Sequence, residues 1–362
     1  CIFLAVLLVI ILVGVELFVQ VVATRFGSME LRMVIRDYGQ LAQGKPKRFI
    51  AAPYVNYRLL PGFTEFSPLG LATHHNRAGF RDSREWGTKA PGTLRIACLG
   101  GSTTYGAGVK DNSQTYPAQL QQLLNQPGFK PAGWDKVEVL NLGVGGYTSA
   151  EVLAALHFYA LPLNPDIILI QIAINDVAPR FYPDYSASYE EFRKPAQFVE
   201  AGPVKKIFYR SKLFLVIGWL IGTVEPLTLQ SRTQYPLPSA EEALANLNKH
   251  PPEPFRRNLK ASIALAKAAG VQVWLMTEAY LKIPTNESVE KDAALIEEAY
   301  QKGLSEHNQI IREVARDENV GLIDLDQLTP RKPSLFTDPV HMSEEGNQLK
   351  ARLIYEKVSQ IP

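Results

Sequence analysis

Ser102 follows an apolar run, Ile96–Leu99, and two glycines, Gly100 and Gly101. The run has the composition of a strand, and a serine beyond the carboxyl end of a strand lies where α/β sheets place their chemistry. The glycines allow a sharp turn and bring backbone N–H groups close to a bound group. A Gly-Gly-Ser sequence is more often only a turn, and its glycine spacing differs from the G-x-S-x-G nucleophile elbow. Ser102 is therefore a candidate nucleophile that needs partners.

A loop near the C-terminus contains the base that a serine hydroxyl requires. Ser343 is a suitable N-cap, and Glu344 and Glu345 would fill the first helical turn, so a helix is predicted to begin just after His341. Asp338 then shares a loop with His341, and its carboxylate can hold one ring nitrogen while the other faces the site. A serine needs such a base to become nucleophilic. The alternative is a surface histidine beside a helix cap.

Two other strand ends could stabilise a negative charge. A Gly-rich loop that contains Gly146 follows the second predicted strand, and its backbone N–H can point at a developing charge. Asn175 follows the third strand, and its amide can donate to an oxyanion, which a carboxylate cannot do. Asn-Asp is also common in turns. The Gly-rich loop lacks the lysine and the glycine spacing of a nucleotide-phosphate loop.

The elements that would position these residues alternate after Pro91. Short continuous apolar strands between helices predict a parallel sheet covered on both faces, so we expect a three-layer α/β sandwich with a five-stranded parallel sheet. The predicted strands are Leu94–Leu99, Val137–Leu140, Asp166–Ile172, Val271–Met276 and Val320–Leu325. The predicted helices are Thr115–Leu124, Ala150–Tyr159, Phe255–Ala269, Asp292–Asp317 and Glu344–Val358.

In this chain order, the four segments resemble the SGNH hydrolases, the superfamily that includes the GDSL lipases and esterases. The resemblance covers roughly Leu94 to Ile361, and Asn76–Arg81 is similar to the lead-in of some bacterial members. Gly101-Ser102 resembles the first sequence block of the superfamily, although it reads Gly-Gly-Ser-Thr where Gly-Asp-Ser-Leu is usual. In the third block, Ala173 stands where glycine is usual.

The resemblance implies a flavodoxin-like fold and a serine hydrolase that acts on an ester or a thioester. The matched positions imply a Ser102, His341 and Asp338 triad and an oxyanion hole formed by Ser102, Gly146 and Asn175. It implies no metal and no organic cofactor. The same chemistry would serve an O-acyltransferase that acts on a cell-surface glycan. A third hypothesis is an accessory subunit of a membrane complex, held through Glu16 of an N-terminal helix.

Charge and cysteine content exclude other classes of function. The chain has 38 basic and 36 acidic residues and a net charge of +2, so it lacks the basic character of a nucleic-acid-binding protein. Its two cysteines, Cys1 and Cys98, have no metal-binding spacing and cannot form a disulfide framework.

The N-terminal residues Cys1–Ala23 contain only Glu16 and Gln20 as strongly polar side chains. As a helix they would extend about 34 Å, enough to cross a bilayer core. We therefore expect a single-pass anchor over residues 1–24, with the soluble domain on the extracytoplasmic, periplasmic side. The basic residues that follow the helix favour the opposite orientation, which leaves the topology open.

The remaining organisation follows from composition. Residues 25–90 lack a clear period and are rich in proline and aromatic residues, so an extended covering segment or linker is predicted. Residues 91–362 form the predicted hydrolase-like domain, with an insertion at about 177–253. The apolar run Leu213–Val224 in this insertion is too short to cross a membrane. It predicts a helix over the rim of the site or, with the lysines and arginines before it, a segment that lies against lipid headgroups.

Overall fold

The computed structural model describes residues 2–43, 48–67, 70, 72–128, 131–189, 192, 202–224, 238–282 and 291–359. The chain divides into two compact units. Unit 1 comprises Cys1–Ala51 and Pro195–Ser231, and unit 2 comprises Ala52–Lys194 and Arg232–Pro362. Parts of the predicted insertion, and Cys1, lie outside the described residues.

Helices and strands are numbered in chain order over the described residues. The helices are α1 (Ile2–Phe26), α2 (Met29–Ala42), α3 (Ser102–Tyr105), α4 (Tyr116–Leu124), α5 (Ser149–Ala155), α6 (Pro203–Phe208), α7 (Lys212–Leu220), α8 (Ala240–Lys249), α9 (Glu253–Ala268), α10 (Lys291–Asp317), α11 (Leu325–Leu328) and α12 (Glu344–Val358). The strands are β1 (Phe49–Ala52), β2 (Asn56–Leu59), β3 (Thr64–Phe66), β4 (Ala72–His74), β5 (Thr93–Gly100), β6 (Lys136–Gly143), β7 (Ile167–Gln171), β8 (Gln272–Met276) and β9 (Gly321–Ile323).

Unit 2 contains a five-stranded sheet with the strand order β6-β5-β7-β8-β9, and every neighbouring pair is parallel. The predicted α/β fold with a five-stranded parallel sheet is confirmed. Strand β5 lies between β6 and β7. The chain therefore passes from β5 to β6 on one side of β5 and then crosses to β7 on the other side. Open α/β sheets bind ligands at such a switch point, beyond the carboxyl ends of the strands.

Helices cover both faces of this sheet. All eight residues of β5 are buried, although successive side chains of a strand point to opposite faces. One face packs against α4 and α12, which contribute Leu120, Leu124, Ile354 and Val358 to a core with Ile96 of β5. Helix α5 contacts β5 and α9, while α9 and α10 contact β8. The continuous apolar runs that predicted the strands are therefore the buried centre of the unit.

Residues 25–90 differ from the predicted extended segment. They contain helix α2 and two small two-stranded sheets, β1-β2 and β3-β4. The side chains of Leu31, Val34, Ile35 and Tyr38 recur at helical spacing and are buried, and the Ser28 side chain caps the helix. The sequence of α2 therefore has a helical period. The proline-rich stretch after residue 52 lacks this period, so residues 25–90 taken together show no clear pattern.

Unit 1 consists mainly of α1, α2, α6 and α7. Helix α7 contacts α1 and α2, so the apolar run of the predicted insertion packs within this unit. Residues 2–26 form the helix that the sequence predicts. Over the residues that the structure describes, none of the helices combines the length and the hydropathy needed to cross a membrane. The transmembrane role expected for residues 1–24 stays a prediction.

Candidate active site

Ser102 is the first residue of α3, directly beyond the carboxyl end of β5. Gly101 is the N-cap of this short helix, where a Cβ atom would lie 2.6 Å from Asn175 Nδ2, so a larger residue would displace the side chain of Asn175. The backbone N–H of a first helical residue has no intrahelical acceptor. The strand-to-helix turn therefore presents the Ser102 hydroxyl and a backbone donor at the switch point of the sheet.

His341 lies on a short closed loop that precedes α12. Residues Phe336 and Met342 form an isolated antiparallel bridge across the base of the loop, and the N–H of Thr337 donates to the carbonyl of His341 at 2.8 Å. Ser343 caps α12 through the N–H of Gly346, as the sequence predicts. The loop therefore has little freedom to reorient the imidazole.

The structure brings together the three residues of the predicted triad. His341 Nε2 lies 2.7 Å from Ser102 Oγ, and His341 Nδ1 lies 2.6 Å from Asp338 Oδ2. The other carboxylate oxygen accepts the backbone N–H groups of Val340 at 3.0 Å and His341 at 2.9 Å. The carboxylate is thus fixed on its own loop and orients the ring toward the serine.

The electrostatics of the loop keep Asp338 ionised. Partial burial raises the pKa of this carboxyl, but hydrogen bonds from the His341 ring and from two backbone N–H groups outweigh burial and lower the pKa to about 2. An ionised carboxylate favours the tautomer with the proton on Nδ1, which leaves Nε2 as the acceptor for a serine proton.

Asn175 and Gly146 lie on neighbouring loops at the same edge of the sheet. Asn175 Nδ2 donates to the carbonyl of Tyr147 at 2.8 Å, which joins the loop after β7 to the loop after β6. An asparagine amide carries a second N–H that can donate elsewhere. Gly146 has a φ of 82°, a left-handed conformation that favours glycine. The hydrogen bond from Asn175 to Tyr147 and the closeness of Gly101 to Asn175 Nδ2 bring together the segments that follow β5, β6 and β7.

A family model for the GDSL-like lipase/acylhydrolase family matches residues 98–349, which is more than half of the chain. The chain belongs to this family. The match includes every residue of the predicted triad and oxyanion hole.

Solved structures that match this chain include those of a lipase/acylhydrolase and of acetylxylan esterases. A lipase/acylhydrolase from Enterococcus faecalis is 18% identical, with a TM-score of 0.44, and the match covers 74% of this chain and 95% of that chain. A catalytic mutant of Axe2, an acetylxylan esterase from Geobacillus stearothermophilus, is 16% identical, with a TM-score of 0.43 and coverage of 73% and 94%. The acetyl xylan esterase AlAXEase is 19% identical, with a TM-score of 0.40 and coverage of 73% and 100%. A comparison with curated proteins found no match.

In this GDSL-like hydrolase, Glu278 is a buried residue of the site that the sequence analysis missed. Its carboxylate accepts the hydroxyl of Thr103 at 2.9 Å and the backbone N–H of Ile174 at 2.7 Å. It therefore connects the residue after Ser102 to the residue before Asn175. Burial raises the pKa of this carboxyl more than its hydrogen bonds lower it. Its place just beyond the end of β8 is the signal that could have revealed it.

The segment 52–90 of the hydrolase also supports the site. Tyr57 of β2 donates its hydroxyl to the carbonyl of Gly145 at 2.9 Å, and Tyr147 donates its hydroxyl to the carbonyl of Tyr57 at 2.6 Å. Both tyrosines are buried. These reciprocal hydrogen bonds hold the loop that carries Gly146. No sequence pattern indicated this contact, because the partners lie far apart in the chain.

Arg81 gives the same segment a second contact with the site. Its guanidinium is buried and donates to the carbonyls of Tyr105 at 3.2 Å and Val109 at 3.0 Å. Tyr105 is the last residue of α3, so these hydrogen bonds fix the end of the helix that begins with Ser102. Arg81 lies in the stretch that resembles the lead-in of bacterial relatives.

The residues that the structure describes also include histidines, acidic residues and one cysteine, Cys98. Within that part of the chain, no group of three histidine, cysteine or acidic side chains could hold a metal ion. Cys98 is a free cysteine, and burial raises the pKa of its thiol to about 12, so it stays protonated at neutral pH.

Proposed function

We propose that this GDSL-like hydrolase cleaves an acyl ester with Ser102 as nucleophile, His341 as general base and acid, and Asp338 as the group that orients and stabilises the imidazolium. The observation that carries the proposal is the continuous hydrogen-bonded series from Asp338 Oδ2 through His341 to Ser102 Oγ, with distances of 2.6 Å and 2.7 Å. Membership of an acylhydrolase family supports ester chemistry.

In the proposed reaction, His341 Nε2 accepts the proton of Ser102 as the serine oxygen attacks the acyl carbonyl. The carbonyl oxygen then becomes an oxyanion, which accepts hydrogen bonds from the backbone N–H of Ser102, the backbone N–H of Gly146 and the side chain of Asn175. His341 returns the proton to the leaving alcohol, and an acyl-enzyme remains. Water then attacks the acyl-enzyme with His341 again as base, which releases the acid and restores the serine.

Labelling with a fluorophosphonate probe tests the nucleophile and its base. We expect the wild-type chain to react covalently, and we expect Ser102→Ala and His341→Ala to lose both labelling and ester hydrolysis. Ser188→Ala, a change at an exposed serine, is the matched control and should behave as wild type. Undiminished labelling of folded Ser102→Ala would refute the assignment.

We also propose that unit 1 attaches the hydrolase to a lipid bilayer. Apolar side chains on α1 support this, since Phe3 is 76%, Leu4 68%, Ile10 61% and Phe18 68% exposed. Each Å² of such surface costs about 25 cal/mol in water, and large exposed apolar patches mark sites of membrane or protein binding. The extracytoplasmic position of the hydrolase unit is a further part of the proposal, which protease accessibility from that side of the membrane tests.

Extraction of membranes that contain the full chain tests the attachment. We expect the protein to stay with the lipid through a high-salt wash and through alkaline carbonate. A double substitution at exposed positions of α1, Ile10→Lys with Val13→Lys, should release it. Release of the wild-type chain by salt alone would contradict attachment through apolar surface.

A further inference from the structure

Glu16 of α1 caps the N-terminus of α7. Its carboxylate accepts the side-chain hydroxyl of Ser211 at 2.8 Å, the backbone N–H of Leu213 at 3.2 Å and the backbone N–H of Lys212. The first N–H groups of a helix have no intrahelical acceptors, and a negative charge there is favourable. The only acidic side chain in the apolar N-terminal run therefore fixes the position of α7 within unit 1.

Helix α7 uses one face to pack inside unit 1. Its partly buried residues Val216 and Trp219 contact a cluster formed by Ala23, Leu31 and Ile35. Leu215 belongs to a second buried cluster with residues of α2 and with residues that flank α7; its other members are Val34, Tyr38, Ala42, Tyr209 and Val224. These contacts, together with the Glu16 cap, hold α7 in a defined orientation.

The other face of α7 is apolar and exposed. Phe214 is 38%, Ile217 48% and Leu220 68% exposed, and these residues recur every three positions on one side of the helix. Ile221, directly after the helix, is 67% exposed. Helix α6 adds the exposed residues Val204, Ile207 and Phe208. Because the inward face of α7 is already packed, this outward surface is available for another partner.

The charge of this segment indicates what the partner is. Residues 203–224 contain no aspartate or glutamate, but they contain Lys205, Lys206, Arg210 and Lys212. An apolar helical face bordered by basic residues is typical of elements that lie in the interface of an anionic membrane. At nine residues, α7 is too short to cross the hydrocarbon core, which needs about 20.

We propose that α6 and α7 form an interfacial element that lies in the headgroup region of a bilayer with anionic lipids. The exposed apolar side chains of α7 enter the upper acyl region, and the basic residues contact lipid phosphates. The inference rests on the membrane attachment proposed above, and it adds a second contact with lipid that selects for lipid charge. Glu16 has a positioning role, because it fixes the direction in which α7 presents its apolar face.

A fluorescent label on α7 tests the proposal in the full chain. The variant Leu220→Cys, in a chain with Cys1→Ser, is labelled with bimane and reconstituted into nanodiscs of mixed anionic and zwitterionic lipid; Cys98 is buried and protected from the dye. We expect quenching by lipids with brominated acyl chains and weak quenching by aqueous iodide. Without anionic lipid, the lipid-dependent quenching should fall by roughly twofold or more.

Charge reversal supplies the matched comparison. Lys205→Glu with Lys206→Glu should reduce quenching by brominated lipid to the level seen without anionic lipid. Lys249→Glu with Lys332→Glu changes the net charge equally at exposed positions outside unit 1 and should leave quenching unchanged.

Three other results would overturn the proposal. Strong iodide quenching would show that α7 lies in water. Protection from both quenchers that varies with the number of chains per nanodisc would identify a second copy as the partner, and constant protection from both would identify a protein cover. Loss of the chain from the nanodiscs would instead show that the membrane attachment itself fails, so the two proposals fail in different ways.

Discussion

At the residue scale, substitutions of Asn175 test whether a side-chain N–H donates to the oxyanion. Its Nδ2 donates to the Tyr147 carbonyl, and the second N–H of the amide is the donor assigned to the oxyanion. Loss of such a donor costs on the order of 100-fold or more in kcat. We expect this loss in Asn175→Ala, measured by steady-state ester hydrolysis. Asn175→Asp has nearly the same shape but no donor, so wild-type activity in that variant would exclude the proposed role.

The contribution of Asp338 to the free energy of unfolding depends on pH. Its pKa is lowered to about 2 in the folded chain, against about 3.9 in an unfolded chain. The unfolded state therefore binds more protons between these values, so the stability that Asp338 contributes is present above about pH 5 and is lost as the pH falls through about 2.

Asp338→Asn removes that contribution. We expect the difference in free energy of unfolding between wild type and variant to shrink as the pH falls below about 4, as measured by urea denaturation. Ester hydrolysis should fall by ~1,000-fold or more, because an amide does not stabilise the imidazolium. A stability difference that grows as the pH falls below about 4 would contradict the lowered pKa.

We infer that Glu278 has a positioning role, because it accepts hydrogen bonds from Thr103 and Ile174, the chain neighbours of Ser102 and Asn175. In Glu278→Gln the amide oxygen can still accept the Thr103 hydroxyl, but the amide N–H₂ then faces the backbone N–H of Ile174. A buried donor without an acceptor costs about 1–3 kcal/mol. We expect a lower melting temperature and a lower kcat with little change in KM. Glu278→Asp, which keeps two acceptors, should restore part of kcat, whereas a purely structural residue would leave kcat unchanged in the folded fraction.

At the element scale, strand β2 contacts the loop that carries Gly146 through Tyr57. Tyr57→Phe removes the hydrogen bond to the Gly145 carbonyl and keeps the buried ring. We expect the free energy of unfolding to fall by about 1 kcal/mol. We also expect kcat to fall by more than the loss of folded protein explains, since the freed loop carries Gly146. Fluorophosphonate labelling compared with ester turnover separates the two effects. Tyr54→Phe changes an exposed tyrosine near the same strand and should have little effect on either.

The strands of the five-stranded sheet and the start of α12 in unit 2 could be predicted from the sequence. Continuous apolar runs located all five strands of the sheet, because strands buried on both faces have few polar residues. The cap residue Ser343 located the start of α12. Strand ends then indicated where Ser102, Gly146 and Asn175 would lie, because the carboxyl ends of parallel strands share one edge.

Contacts between distant segments could not be predicted in the same way. Glu278 acts on Thr103 and Ile174, and Tyr57 acts on Gly145, but nothing in their local sequence indicates a partner that far along the chain. Such pairs depend on the three-dimensional arrangement of whole elements. Helix α2 was missed for a different reason, since its buried residues repeat at helical spacing and only the neighbouring prolines obscured the pattern.

At the scale of the whole molecule, the chain divides into a hydrolase unit and a mainly helical unit, each with its own buried clusters. The proposed chemistry uses residues of unit 2 alone, and the proposed lipid contacts use residues of unit 1 alone. Weakening the contact between α1 and α7 should therefore affect the contact with lipid and leave ester hydrolysis intact.

Glu16→Gln tests this separation. The amide retains one oxygen acceptor but loses the charge that faces three donors at the start of α7. Loss of a helix cap costs about 1 kcal/mol, which corresponds to roughly fivefold faster local opening. We expect faster amide hydrogen exchange in residues 212–220, with unchanged exchange in β5 and β7 and unchanged hydrolysis of a water-soluble ester. Slower hydrolysis by Glu16→Gln would show that the two units are coupled, and unchanged exchange in α7 would show that Glu16 does not cap it in solution.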